Sequence, residues 1–323
     1  MKQIVTSDIG GTHARFALAT IDAGRVVDVG ETVILKTNEH ASFQTAWEEF
    51  GRRCGTALPS ALAMAFAGPV EGDLLKLTNN PWVIRRALVG EKLSVDQFTV
   101  VNDFGAVAHA VATLGAEAYS HLCGPDLILP NEGVVTVVGP GTGLGVAALL
   151  RDRDGSYQVI ETEGGHVDFA PLDPLEDAIL AALRRSFRRV SVERLISGRG
   201  LANIYECLAT IEKRSVTIRD DKELWEAALA GTDSLAAAAL DRLCLIFGAV
   251  AGDLALAHGA QAVVIGGGLG SRLSAYLPRS GFRDRFSAKG RFERRMHDMP
   301  VKLITYPEPG LIGAAAAFAR AHS

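Results

Sequence analysis

The stretch Val5–Leu18, VTSDIGGTHARFAL, decides how the rest of the chain is read. Gln3–Ser7 and Ala14–Thr20 have the alternation of strands and flank Gly10-Gly11-Thr12, which predicts a strand, a glycine turn and a second strand. Arg25–Leu35 follows Asp22-Ala23-Gly24 and predicts a third strand of the same meander. A glycine turn taken alone is an ordinary hairpin. It can also hold a phosphate, because glycine lets the chain turn sharply and bring backbone N–H groups together with no Cβ in the way. Two neighbours favour the second reading. Asp8 is a carboxylate that a plain hairpin does not need, whereas a magnesium ion bridging nucleotide phosphates would use one, chiefly through water. Thr12 sits where a hydroxyl can bond a phosphate oxygen or, equally, its own turn.

The pattern recurs about 130 residues later, where Gly133–Val138 and Val146–Leu150 are joined by Gly139-Pro140-Gly141-Thr142-Gly143. A third glycine element, Gly266-Gly267-Gly268, ends the apolar strand Ala262–Ile265. None of the three has the GxxxxGK[ST] run of a Walker loop or the GxGxxG spacing of a dinucleotide fold. Further strands are predicted at Ala61–Phe66, Leu74–Leu77, Phe98–Val101 and Val301–Tyr306. Helices are predicted at Ser42–Arg53, Phe104–Leu114, Pro174–Arg188, Gly198–Lys213, Lys222–Ala230, Ser234–His258 and Ile312–Ala321. Alternating strands and helices around two strand-turn-strand elements predict two related α/β halves with a cleft between them.

At 323 residues the chain exceeds the size at which a single core stops growing, and 48% hydrophobic with 22% charged residues is globular usage. A net charge of −4 argues against nucleic acid as a partner. The densest basic run, Arg184, Arg185, Arg188 and Arg189, reads as the end of a helix that Asp173 caps, with Pro174 in its first turn and Glu176 completing a capping box. Cys54, Cys123, Cys207 and Cys244 form no CxxC pair and read as buried thiols in a reducing compartment. No basic-then-apolar leader is visible, and the apolar run Leu243–Gly252 is too short to span a bilayer. The expectation is a cytoplasmic protein without a membrane partner.

A second set of polar residues lies where a ligand would be met. Asn102 and Asp103 follow the strand Phe98–Val101, at the carboxyl edge where open α/β sheets place ligands. Asp103 is equally a candidate cap for the helix beginning at Phe104. In Glu163-Gly164-Gly165-His166 a tight turn brings a carboxylate and an imidazole toward one point; zinc would require more ligands at recognisable spacing.

The motifs DIGGTHARFAL, VNDFGAVAHA, VVGPGTGLGVA, ETEGGHVDFAPL, SVERLISGRGLANIY, VVIGGGLGSRL, SGFRDRF with KGRFE, and EPGLIGAAAA occur in order over the whole chain. Together they resemble the bacterial glucokinases of the non-repressor type, within the superfamily of sugar kinases and actin-like ATPases. The resemblance implies an α/β fold of two actin-like ATPase (ribonuclease H-like) domains with a cleft between them, residues 1–112 plus 308–323 forming the small domain and 113–307 the large one. It implies transfer of the γ-phosphoryl group of ATP to the 6-hydroxyl of glucose, with Mg2+, in a homodimer. It implies that Asp8, Ile9, Gly10, Gly11 and Thr12 form a first phosphate element, with Asp8 facing the metal through water. Gly141, Thr142 and Gly143 then form a second element, and Gly266, Gly267 and Gly268 an adenosine element. Asn102, Asp103, Glu163, His166 and Glu193 would contact the sugar, with Asp103 as base. Asn79, Asn80 and Trp82 resemble a segment near the sugar, and His13 departs from the Asn that relatives carry after GGT.

Overall fold

The structure, a computed structural model, describes residues 1–77, 80–216 and 220–322. Asn79 lies outside the described residues. The chain divides into two compact units, one of Met1–Gly115, Val159–Glu161 and Tyr306–Ser323, the other of Ala116–Gln158 and Thr162–Thr305.

The first unit carries β1 (Lys2–Ile9), β2 (His13–Asp22), β3 (Arg25–Val29), β4 (Val33–Lys36), β5 (Ala61–Phe66), β6 (Leu74–Lys76), β7 (Val83–Arg85) and β8 (Gln97–Asn102). Its main sheet runs β3-β2-β1-β5-β8, with β1 and β2 antiparallel and β1, β5 and β8 parallel. The sequence ALAMAF of β5 explains how this sheet is covered. Leu62, Met64 and Phe66 share a cluster with Phe43, Trp47 and Phe50 of the helix Phe43–Cys54. Ala61, Ala63 and Ala65 cluster instead with Ala106 and with Ala314, Ala315 and Phe318 of the helix Pro309–Ala321. Period-2 alternation thus gives one face bulky side chains and the other small ones, and the small face admits helix backbones at short range.

Arg25–Leu35 is two strands, not one. Gly30 donates its N–H to the Leu18 carbonyl at 2.8 Å, residues 30–32 leave the ladder, and β3 and β4 pair with successive stretches of β2.

The second sheet has β9 (Tyr119–Cys123), β10 (Gly133–Pro140), β11 (Leu144–Arg151), β12 (Tyr157–Thr162), β13 (Ala262–Ile265) and β14 (Val301–Ile304), in the order β12-β11-β10-β13-β14-β9; all lie in the second unit except Val159–Glu161 of β12, which falls in the first. Its centre repeats that of the first unit: β10 and β11 form an antiparallel hairpin, and β13 and β14 add parallel to β10. The apolar run Leu243–Gly252 belongs to the 24-residue helix Ser234–Ala257. By length and composition this helix could cross a membrane, but 72% of its most apolar window is buried, and Leu240, Leu243, Phe247 and Ala251 stand at the centre of this unit's core.

The arginine run also reads differently in three dimensions. The helix begins at Pro174 with Asp173 as cap but ends at Leu183, so the run lies at and beyond its terminus. Arg185 N–H bonds Ala182 O and Ser186 N–H bonds Leu183 O, tightening the chain into a turn that buries Val190 and packs Phe187 on the core. Arg189 pairs with Asp168. Glu176 does not close a capping box: one oxygen accepts the Leu172 N–H at 2.7 Å and the other meets Arg242 at 2.9 Å. Arg285 lies 3.6 Å from the same carboxylate, which is 2% exposed.

Removing a buried anion that two guanidinium groups face leaves their charge partly uncompensated. Glu176→Ala is therefore expected to lower unfolding free energy by about 3 kcal/mol. Glu176→Gln, which keeps the acceptor for Leu172, should lose less in the same urea titration.

Candidate functional site

Three parallel strands of the first unit end in lateral register, Ile9 opposite Phe66 and Phe66 opposite Asn102. The edge therefore collects the turn Gly10-Gly11-Thr12 after β1 and the pair Asn102-Asp103 at the end of β8, the two backbones about 10 Å apart by two strand spacings. Within the turn, Gly10 N–H bonds His13 O at 2.9 Å. The Gly11 carbonyl accepts from Thr37 Oγ1 at 2.6 Å and from Asn80 Nδ2 at 3.2 Å, and the Thr12 carbonyl accepts from Thr37 N at 3.0 Å. Since a trans peptide points C=O and the following N–H in opposite directions, fixing the Gly11 carbonyl aims the Thr12 N–H the other way. Asn80 thus supports the glycine turn, and its Oδ1 accepts from Trp82 N, while the buried Trp82 ring donates to His40 O.

Asp8 faces Arg15 across the hairpin, with 3.9 Å between Oδ2 and Nη1, while Arg15 Nε lies 3.0 Å from Glu308. Burial pushes the Asp8 carboxyl up from 3.8 to about 6; Arg15 draws it down and Glu308 pushes it further up. Two acids around one base leave the corner short of positive charge.

The helix Asp103–Thr113 is capped by Asn102, not Asp103. Asn102 Oδ1 accepts from Phe104 N at 2.9 Å and Gly105 N at 3.3 Å, which leaves Asp103 in the first turn, its Oδ1 2.9 Å from Phe104 N. Asn102 has the better reach because it precedes the helix and its side chain can fold back over two orphan donors. Glu161, within the quoted motif ETEGGH yet given no role by the sequence, accepts the Asn102 backbone N–H at 2.9 Å. Burial raises its carboxyl and this N–H lowers it.

In the second unit three separated motifs converge on the turn between β10 and β11. Gly141 N–H bonds Gly143 O at 2.8 Å, and Gly198 N–H bonds Gly141 O at 2.9 Å. Glu193, which lies in a single 3-10 turn, accepts the Leu144 N–H at 2.9 Å through Oε2. Gly165 packs directly on the Leu144 carbonyl, setting Glu163 and His166 at this end of β11, where their side chains are exposed and 3.9 Å apart. Gly267, with φ of 76°, lies so close to Pro140 that a Cβ would stand 2.6 Å from its carbonyl oxygen; Gly266 precedes it and Gly268 follows in the helix Gly267–Arg272. Among the described residues, Thr142 and Gly143 N–H have no protein acceptor.

Residues 5–321 match the family model described as Glucokinase. The chain is 63% identical over 321 residues to the glucokinase of Zymomonas mobilis subsp. mobilis, covering 99% of each chain. The chain belongs to the glucokinase family. Among solved structures, the glucokinase from an Antarctic psychrotroph superposes with a TM-score of 0.85 at 33% identity, covering 98% of this chain and 99% of that one. A glucokinase of the ROK family from Streptomyces griseus, in complex with glucose and AMPPNP, shares the fold with a TM-score of 0.64 at 22% identity, covering 97% and 98%. The fold is the α/β actin-like ATPase fold, and the family's activity is ATP-dependent phosphorylation of glucose. Residues that the fold alone would not select, such as the half-buried Asp8, stand out by their cost.

That cost has a sign. Between pH 4 and 6 the folded chain retains on Asp8 a proton that the unfolded chain has released, so stability falls as pH rises through this interval. Asp8→Asn should be more stable than the parent at pH 7, by at most about 3 kcal/mol, with the difference shrinking toward pH 4. Urea unfolding across this range checks it; a variant less stable at pH 7 would contradict the burial argument.

Proposed function

We propose that this chain transfers the γ-phosphoryl group of ATP to the 6-hydroxyl of glucose, with Asp103 as the base. The observation that carries the reading is the shared sheet edge of the first unit, where the glycine turn and the Asn102-Asp103 pair end neighbouring strands in register. Phosphoryl transfer passes through a loose transition state, so a base mainly orients the attacking hydroxyl and accepts its proton late; an ordinary carboxylate suffices. Asp103 suits this by its place in the first turn of the helix, directly after the sheet edge that also carries the glycine turn.

In this reading Asn102, Glu163, His166 and Glu193 satisfy the other sugar hydroxyls. Gly11 and Thr12, in the turn with Ile9 and Gly10, offer backbone donors to phosphate, as do Thr142 and Gly143 beside Gly141, and Gly266, Gly267 and Gly268 border the adenosine. Asp8 fits a magnesium ion. Its corner carries more acid than base, and among the described residues no three His, Cys, Asp or Glu side chains form a cage, as suits an ion held largely by phosphates and water. When bound, the ion supplies positive charge to the phosphate oxygens. We further propose a homodimer, the commonest symmetric assembly, acting in the cytoplasm, where its free thiols stay reduced.

Asp103→Asn should keep the KM for glucose near that of the parent and lower kcat by about 10²–10⁴. A coupled assay over several hexoses and donors checks this, and near-parental turnover would remove Asp103 from the role. Chelation of divalent cations should abolish turnover, and added Mg2+ should restore it.

A further inference from the structure

Glu193 enters the proposed function as a sugar contact, yet its best-defined partner is backbone. Its Oε2 accepts the Leu144 N–H at 2.9 Å, and its carboxylate lies so close over Gly143 that a Cβ there would overlap it. The segment bearing Glu193 is itself braced. Asn203 Nδ2 donates to Arg194 O at 2.7 Å, Val192 N–H bonds Val167 O at 3.0 Å, and Leu195 and Ile196 are fully buried. Five residues on, Gly198 N–H grips the opposite side of the same turn through Gly141 O, while Trp225 Nε1 donates to Gly198 O at 2.9 Å.

One rigid segment therefore holds the glycine turn at two points. The Gly141 carbonyl, held by Gly198, turns the Thr142 N–H away from that segment, because the two groups of one peptide are antiparallel. The Leu144 N–H, held by Glu193, turns the Gly143 carbonyl back into the turn, where it accepts from Gly141. What the turn has left to offer are the N–H groups of Thr142 and Gly143.

We propose that Glu193 is a positioning residue for the nucleotide: its carboxylate oxygen clamps the second glycine turn in the form that presents donors to phosphate. The proposal rests on the reading of residues 141–143 as a phosphate element and adds that nucleotide affinity depends on Glu193 even when no sugar is present. A sugar contact alone would leave nucleotide binding untouched. The clamp needs an acceptor at the right reach and does not need a charge, since an anion beside a phosphate is a burden.

The test is calorimetric binding of AMPPNP, with Mg2+ and without glucose, to the full-length protein and its variants. Glu193→Gln keeps an acceptor oxygen at the same reach and is expected to bind within about threefold of the parent. Glu193→Asp keeps the charge but withdraws the oxygen by one methylene, and Glu193→Ala removes it; both should bind about tenfold or more weakly. Should Glu193→Ala fail to fold, the Gln and Asp variants still decide. Parental affinity in the Asp variant, or a loss in the Gln variant equal to that in the Asp variant, overturns the proposal. A parent chain that phosphorylates glucose but binds no AMPPNP without it overturns the sugar-independent clamp alone. A parent that neither binds AMPPNP nor phosphorylates glucose overturns the proposed function itself.

Discussion

A peptide unit presents its N–H on one side and its C=O on the other, and this antiparallel geometry is the constraint on which both glycine turns depend. A turn can show donors to an anion only if its carbonyls are satisfied behind it. In the first unit Thr37 and Asn80 supply those bonds from side chains and backbone. In the second the work falls to Gly198 and Glu193, which reach the turn from one segment. The same topology, an antiparallel hairpin flanked by parallel strands, is thus braced by unrelated residues in its two occurrences.

Small residues let these braces come close. Gly143 lies under the Glu193 carboxylate, and the alanines of β5 admit the alanine-rich helix Pro309–Ala321 against the sheet. Where a side chain must come near backbone, a missing Cβ does more than any attractive contact, since overlap of even one methyl forces packed neighbours to shift. The network of Asp173, Glu176, Arg242 and Arg285 serves a different end, joining three helices around two carboxylates.

Asp8 shows the other side of this economy of space. A hairpin strand has no structural use for a half-buried carboxylate whose guanidinium partner stands 3.9 Å away. Burial disfavours its charged form, so keeping an acid at this position costs stability at neutral pH.

By itself the sequence determined much: periodicity placed β1, β5, β8, β10 and β13 within a residue or two, and the repeated glycine turn declared two related α/β halves. Ordered motifs along the whole chain pointed to the family. These properties are local or pairwise along the chain, so composition and spacing carry them. The tertiary structure alone decided that Asn102 rather than Asp103 caps its helix, that Arg25–Leu35 splits into two strands, and that the helix from Pro174 stops at Leu183. It alone brought Glu161 to Asn102, and Glu193 and Gly198 to the second turn. Each of these outcomes rests on which group, near or far along the chain, satisfies a backbone N–H or C=O, and every residue except proline carries the same donor and acceptor. Sequence shows that such bonds must be made; only the folded chain selects the partner.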